Sequence, residues 1–275
     1  MPQTINTNLV SLNAQRNLDV SQSSLATSMQ RLSSGLRVNS AKDDAAGLAI
    51  AERMNTQVRG MNVAIRNAND GISLAQTAEG ALGKVGDMLQ RMRELAVQSA
   101  NATNGTGDRA NLNAEYAQLS AEIGRTLANT RFNGIAILGT GAGAQAFQVG
   151  ANSGETVTIT TTNLAASTDI TTVTGGNLST VAAASTALGN IDTALNTLNT
   201  ERALYGATQN RFEAVIGTLQ VASENQAAAR ARIMDADFAA ETANLSRAQI
   251  LQQAGNAMVA QANQLPQQVL QLLQR

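Results

Sequence analysis

The sequence contains no cysteine and no histidine, and these two absences exclude several kinds of active site. Without cysteine the chain has no disulfide, no thiolate nucleophile and no thiolate ligand for a metal. Without histidine it lacks the residue most often used as a general base and as a metal ligand. Amine chemistry is left to Lys42 and Lys84. We therefore predict a protein that is not an enzyme and that carries no cofactor.

Aromatic residues and prolines are also scarce. Aromatic residues make up 2% of the chain, tryptophan is absent and there are two prolines. Hydrophobic residues reach 43%, but alanine supplies much of that share, and alanine favours helix while burying little area. This composition predicts long helices packed in thin layers. The net charge of -1 argues against nucleic acid or an anionic membrane as the main partner.

The amino terminus lacks the features of a secretory signal peptide. The stretch MPQTINTNLVSLNAQ has no basic flank and no apolar core region. No hydrophobic run in the chain approaches the ~18 residues that a membrane-spanning helix needs. Composition alone therefore predicts a cytosolic protein, an expectation that the resemblance described below reverses.

Both ends of the chain carry large apolar residues at seven-residue intervals, which is typical of a coiled-coil seam. The residues are Leu18, Leu25, Leu32, Leu251, Met258, Leu265 and Leu272. These few side chains return less free energy on burial than the ordering of the two ends costs. We therefore expect the ends to be disordered in an isolated chain and helical once neighbouring copies cover them. The alternative is an ordinary coiled coil within one chain.

Between the two ends, the hydrophobic periodicity changes twice. Three- and four-residue spacings predict a long helix from Ile50 to Leu95, a third from Leu112 to Leu127, and a return to helix after residue ~181. Residues 131–160 alternate and contain glycine turns, which predicts β-hairpins. Residues 161–180 are rich in Thr, Ser and Gly and predict an exposed tip. The predicted fold class is mainly α, with long antiparallel helices in coiled-coil or bundle packing and a small β-hairpin region at the mid-chain tip.

Two local features of the second helix lead to further predictions. Ser40 with Asp43 three residues later resembles a capping box that opens the helix. The helix also contains several glycines, each of which costs about 1 kcal/mol relative to alanine. These are Gly60, Gly71, Gly80, Gly83 and Gly86. They are either poor helix formers or places where a neighbouring element approaches the backbone closely, and the sequence leaves both interpretations open.

Several long blocks of the sequence resemble the conserved cores of bacterial flagellins. Those of the first half are QRLSSGLRVNSAKDDAAGLAIAERM (30–54), RNANDGISLAQTAEGAL (66–82) and LQRMRELAVQSAN (89–101). Those of the second half are GATQNRFEAVI (206–216), DADFAAETANL (235–245) and the ending QANQLPQQVLQLL (261–273). The resemblance extends over roughly residues 1–160 and 185–275, so only the tip is unassigned.

The resemblance implies a structural subunit that polymerises into the flagellar filament for swimming motility. It implies inner-core terminal helices at 1–40 and 236–275, and an outer core of helices and β-hairpins at 41–160 and 181–235. Residues 161–180 would be a short variable tip, in place of the large outer domains of most flagellins. The alternative within the same system is the hook-filament junction protein, which shares the terminal patterns.

The resemblance also implies a location and partners. Flagellins are exported without a cleaved signal peptide, so the expected location is extracellular, in the bacterial flagellum. The implied partners are further copies of the chain, the flagellar export apparatus, an export chaperone, and hook-associated and cap proteins. A flagellin-sensing Toll-like receptor of vertebrate hosts is a further implied partner, with Arg91, Leu95 and Glu115 as its candidate contacts. In the competing interpretation, Leu95 is a core residue, and Arg91 and Glu115 belong to a solvated face.

Overall fold

The computed structural model describes residues 7–273, with side chains for residues 7–264. Its helices are α1 (Leu9–Ser34), α2 (Ala45–Ala100), α3 (Thr106–Asn129), α4 (Thr168–Thr174), α5 (Val181–Met234) and α6 (Phe238–Leu273). Its strands are β1 (Arg131–Phe132), β2 (Ile135–Ala136), β3 (Ala144–Gln148) and β4 (Thr156–Thr160). The prediction of a mainly α chain with a small β-hairpin region is confirmed. None of the described helices combines the length and apolarity that crossing a membrane requires.

The chain forms two compact units, one built from residues 1–56 and 225–275 and the other from residues 57–224. The first, which we call the terminal unit, contains α1 and α6. The second, which we call the central unit, contains the hairpins and all the largest fully buried side chains of the described chain. These side chains are Tyr116, Tyr205, Phe212, Leu82, Leu89, Met92, Leu95, Ile123, Leu127, Ile137, Leu138 and Ile159. Large apolar burial, the main favourable term in folding, is therefore concentrated in the central unit.

The two β-hairpins follow the signals that predicted them. β1 and β2 are joined by Asn133 and Gly134, which have φ of 47° and 82°. Positive φ at both central positions is the geometry of a two-residue turn for which Asn-Gly is preferred. β3 pairs antiparallel with β4, in which Val157 and Ile159 are buried between exposed threonines. This alternation packs one face of the hairpin on the core.

The glycines of α2 do not share one role. A Cβ on Gly71 would lie 2.7 Å from the ring of Phe212, and one on Gly60 would lie 2.9 Å from Cβ of Ala151. At Gly80 and Gly83 a Cβ would meet no neighbour within 4 Å. Close approach therefore explains the first two glycines, and the ring seated on Gly71 also makes an edge contact with Phe147 at a centroid distance of 5.7 Å.

The prediction of an exposed tip at residues 161–180 is wrong for the apolar side chains of this segment. Leu164, Ile170, Val173 and Leu178 are buried in the core of the central unit. The backbone of the segment is also held by α2 and α3, which donate or accept hydrogen bonds at its carbonyls and amides. These bonds are Ser99 Oγ to Leu178 O at 2.7 Å, Tyr116 Oη to Val173 O at 2.8 Å, Ser120 Oγ to Thr174 O at 2.7 Å, and Leu178 N to Asn113 Oδ1 at 2.7 Å. Burial raises the pKa of Tyr116 to about 12, so its hydroxyl keeps its proton and remains a donor.

The predicted capping box at Ser40 and Asp43 forms a turn and does not open α2. Asp43 Oδ2 accepts hydrogen bonds from the amide and hydroxyl of Ser40, at 3.0 Å and 3.1 Å. The helix begins at Ala45, and Asp44 Oδ1 accepts a hydrogen bond of 2.8 Å from the amide of Gly47. Asp44 thus satisfies a free amide of the first turn, as an N-cap residue does.

The contrast between two glycines of α2 predicts opposite effects of one substitution. Gly71→Ala should destabilise the protein by about 1–3 kcal/mol because the added methyl group collides with Phe212 in a packed core. The control Gly80→Ala lies in the same helix with open space around it, and should stabilise the protein by about 0.5–1 kcal/mol. Urea unfolding followed by circular dichroism measures both changes. An equal gain from the two substitutions would show that Phe212 does not sit on Gly71.

Candidate assembly surface on the terminal helices

Helices α1 and α6 pack antiparallel in the terminal unit, and three contacts fix their register. Ser11 Oγ donates a hydrogen bond of 2.7 Å to Asn263 Oδ1, and Asn8 Nδ2 donates one of 2.7 Å to Ala262 O. Near the middle, Leu18 packs on Gly255, where a Cβ would lie 3.1 Å from Leu18 Cδ1. The leucine at position 18 thus faces a residue without a side chain.

On the face of α6 that contacts α1, the most deeply buried residues are small or polar, and Leu245 and Val259 are half-buried between them. Ala248 and Ala262 are buried on this face, one helical heptad on either side of Gly255. Glu241 is buried a further heptad towards the start of the helix. On α1, the fully buried residues are Ser11 and Ser28. The interface of the terminal unit is therefore narrow and buries little large apolar surface.

At the other end of this interface, Arg31 and Glu241 form an ion pair that leaves one buried nitrogen of Arg31 without a hydrogen-bond partner among the described residues. Glu241 is only 8% exposed, and its carboxylate lies 3.9 Å from a terminal guanidinium nitrogen of Arg31. The Nε of Arg31 is buried and reaches no hydrogen-bond partner within the described part of the chain. A buried carboxylate is costly to separate from its cation, because the carboxylate would stay in the protein interior without a compensating charge.

The turn that joins the terminal helices to the rest of the chain is held by backbone hydrogen bonds. Gly35 ends α1 in the left-handed region, with φ of 72° and a hydrogen bond from its amide to Arg31 O at 2.9 Å. Its carbonyl accepts from the amide of Ala236 at 3.0 Å, and the amide of Arg37 donates to Met234 O at 2.6 Å. A small buried cluster of Val38, Ala51 and Met234 lies beside this turn.

The outward faces of α1 and α6 carry large apolar side chains that are at least half exposed. We call them the outer stripe: Leu9, Val10, Leu12, Val20, Met29, Phe238, Ile250, Leu251 and Met258. Exposed large apolar side chains are concentrated on these two helices, and an apolar surface that is left exposed is a candidate protein contact site.

The predicted seam residues divide between the two faces. Leu18, Leu25 and Leu32 are half-buried on α1, and Leu18 contacts α6 directly. Leu251 and Met258 are 51% and 60% exposed and belong to the outer stripe. Leu265 and Leu272 lie outside the residues whose side chains the structure describes. The seven-residue pattern missed the inward face of α6 because Ala248, Gly255 and Ala262 are small.

The three candidate receptor contacts also differ in exposure. Leu95 is 1% exposed and lies in the core of the central unit, so its side chain is not available to a partner in this fold. Arg91 is exposed and donates hydrogen bonds of 2.8 Å to Glu115 and to Glu94. The bond to Glu115, followed by that to Glu94, raises the pKa of Arg91 above its usual range. Such exposed ion pairs contribute little to stability.

A shallow depression of about 320 Å³ on α2 lies beside these charges. It is lined by Gln90, Arg93, Glu94, Val97 and Gln98. Arg93 Nε donates a hydrogen bond of 2.7 Å to Asp192 of α5, which lowers the pKa of that carboxyl. Among the described residues no three acidic side chains are grouped so that they could hold a metal ion.

Two sequence-family profiles match the chain over its two halves. The profile described as the bacterial flagellin N-terminal helical region matches residues 5–142, and that for the bacterial flagellin C-terminal helical region matches residues 188–273. The chain is 48% identical to a flagellin of Halalkalibacterium halodurans, covering 98% of this chain and 99% of the relative. It is 41% identical to the flagellar filament 33 kDa core protein of Treponema phagedenis, with coverage of 98% and 99%.

Solved structures show the same fold. The crystal structure of Bacillus cereus flagellin superposes with a TM-score of 0.51 and 36% identity, covering 56% of this chain and 88% of that one. A Vibrio parahaemolyticus protein described as flagellar hook-associated has a TM-score of 0.59 at 14% identity, covering 70% of this chain and all of that one. At that identity the second likeness concerns the fold alone.

Proposed function

Because this chain belongs to the bacterial flagellin family and is a structural subunit of the bacterial flagellar filament, we propose that it polymerises through its outer stripe. The observation that carries the proposal is the exposure of nine large apolar side chains on the two terminal helices. Water contact with these side chains is unfavourable, and a second copy that covers them removes the cost. The family is structural and not enzymatic, which agrees with the missing histidine and cysteine.

We further propose that the terminal helices become ordered as they assemble. The α1–α6 contact buries alanine, serine and one glutamate, whereas the largest buried side chains belong to the central unit. Ordering two long helices costs conformational entropy that this contact offsets only in part. Burial of the outer stripe against neighbouring copies would supply the remainder, so folding of the ends and polymerisation would be one coupled step.

Growth into a filament requires an interface that does not close on itself. Two different surfaces of the subunit must meet, so that each added copy leaves the same surface free for the next. We propose the outer stripe for one of these surfaces and the exposed sides of α2 and α5 for lateral contacts. The terminal segments 1–40 and 236–275 and the remaining core, 41–160 with 181–235, would then be the functional divisions of the chain.

The remaining partners are proposals that come from the family. The flagellum is an extracellular filament, and we propose that the chain reaches it unfolded through the flagellar export apparatus, with an export chaperone and without a cleaved signal peptide. Hook-associated and cap proteins would contact the ends of the filament. The hook-filament junction protein remains the alternative. Seeded polymerisation separates the two, since a junction protein would not extend into long filaments.

The outer stripe gives a direct test of assembly. The double variant Leu251→Ser with Met258→Ser should lose long filaments in seeded polymerisation viewed by electron microscopy, because about 2 kcal/mol of burial energy is removed at each position. The control Gln253→Ser changes an exposed polar residue of the same helix and should polymerise as the unaltered chain does. Urea unfolding of the central unit should be the same in all three proteins.

Two outcomes would contradict this assignment. Filaments of unaltered length and growth rate from the double variant would exclude Leu251 and Met258 from the interface. Filaments from a chain shortened to residues 41–235 would show that the long middle helices drive assembly without the terminal ones.

Coupled ordering is tested by proteolysis before and after polymerisation. Trypsin should cut the monomer rapidly after Arg16, Arg31 and Arg247, because open helices expose their peptide bonds to the protease. The same sites should become resistant in the filament, while the central unit resists cleavage in both states. Terminal sites that resist trypsin in the monomer would show an ordinary coiled coil within one chain and would refute the coupled step.

A second proposed partner is a flagellin-sensing Toll-like receptor, which the exposed Arg91–Glu115 pair favours. Both side chains are at the surface and present opposite charges side by side. Replacing both by alanine should reduce receptor activation by monomer at least tenfold, measured in reporter cells. The control Glu122→Ala with Arg125→Ala removes another exposed ion pair of α3 and should leave activation unchanged. Equal activation by both double variants would exclude the Arg91–Glu115 pair.

A further inference from the structure

The heptad pattern of the terminal helices does not by itself define their register. On α1 a leucine recurs at 18, 25 and 32, and on α6 a small residue recurs at 248, 255 and 262. A slip of one heptad that brings Leu18 to the level of Ala262 would bring Leu25 to Gly255 and Leu32 to Ala248, so each leucine would still lie opposite a small residue. In a polymer, the α6 helices of neighbouring copies would present the same small-residue face to α1, so the number of possible wrong pairings increases.

Besides the hydrogen bonds of Asn8 and Ser11 and those of the turn at Gly35, two features within the helix pair distinguish the observed register from its slipped forms. Leu18 approaches α6 so closely that a Cβ at position 255 would lie 3.1 Å from its Cδ1, a tighter contact than a methyl group ordinarily makes. A one-heptad slip would put Leu18 opposite Ala248 or Ala262, each of which carries that methyl group. Gly255 is the sole glycine of α6, so a leucine of α1 can approach the α6 backbone this closely at only one level of the helix.

The second feature is the charge at Glu241. In the observed register its buried carboxylate lies beside Arg31, 3.9 Å away. A slip in either direction moves Arg31 to the level of Ala248 or of the turn near Met234, and leaves the carboxylate buried without a cation. Such an uncompensated buried charge is strongly unfavourable. Polar and ionic groups at seam positions are known to specify register in helix pairs.

We propose that Gly255 and the Arg31–Glu241 pair select one register for α1 and α6. Gly255 acts as a socket for Leu18, and the ion pair excludes the slipped arrangements that the leucine pattern would tolerate. Register matters because it sets which outer-stripe residues of the two helices lie side by side. The proposal rests on the function proposed above, since that stripe is the polymerising surface.

The absence of cysteine makes the register directly measurable by cross-linking. The pair Ser11→Cys and Asn263→Cys reports the observed register, because these side chains meet at 2.7 Å. The pair Ser11→Cys and Asn256→Cys reports a one-heptad slip. Each pair is introduced into the full chain, polymerised on seeds and oxidised under mild conditions. Non-reducing gels then separate disulfides within one chain from those between chains.

In the otherwise unaltered chain, the 11–263 pair should form a disulfide within one chain and the 11–256 pair should not. Gly255→Leu should reduce the 11–263 product at least tenfold and produce 11–256 or interchain products. Adding Leu18→Ala to Gly255→Leu moves the large side chain from α1 to α6 and the small one from α6 to α1. This double change should restore the 11–263 disulfide. The control Gly217→Leu on α5, where a Cβ meets nothing within 4 Å, should leave the pattern unchanged.

Each outcome bears on one proposal. An unchanged 11–263 disulfide in the Gly255→Leu variant would show that the packing of Leu18 on Gly255 does not set the register. Loss of this disulfide that Leu18→Ala does not restore would show the same. Gly255→Leu alone could abolish polymerisation. In that case, filaments restored by Leu18→Ala would support the role of the Leu18–Gly255 packing, and continued absence of filaments would contradict it. Filaments of the unaltered background that show only slipped or interchain products would overturn the register and leave the proposed function standing. Failure of the chain without added cysteines to polymerise would instead refute the proposed function.

Discussion

The close packing of Leu18 of α1 on Gly255 of α6 constrains everything that the terminal unit can present to a neighbour. A helix that meets its partner most closely through glycine and alanine leaves many of its large side chains outside the contact. Phe238, Ile250, Leu251 and Met258 are those left-over residues on α6, and each is at least half exposed. The same choice that brings the two helices close within the chain thus creates the apolar outer stripe.

The two units place their apolar residues in opposite ways. The central unit encloses its tyrosines, its phenylalanine 212 and most of its large aliphatic side chains, so it has the burial that an independently folding unit needs. The terminal unit has comparable helix length but encloses mainly small residues. This difference in burial is the basis of our proposal that the central unit folds by itself and that the terminal helices depend on neighbouring copies.

The sequence predicted the helices and hairpins because their signals are local: three- and four-residue spacing, alternation, and Asn-Gly in a two-residue turn. It also selected two residues of the outer stripe, Leu251 and Met258, as assembly residues, and that assignment stays a prediction. The inward face of α6 was missed since hydrophobic periodicity detects large residues. The segment 161–180 was misjudged for the reverse reason: abundant threonine and serine concealed Leu164, Ile170, Val173 and Leu178, whose burial depends on distant helices.

An open polymer requires that no finite number of copies satisfies every apolar surface. On α6 the most deeply buried small residues lie on the side of α1, whereas Ile250, Leu251 and Met258 remain at least half exposed. In the assembly that we propose, a neighbouring copy covers this exposed surface and exposes the same surface of its own. Polymerisation would then continue, because the contact within one chain never buries these side chains.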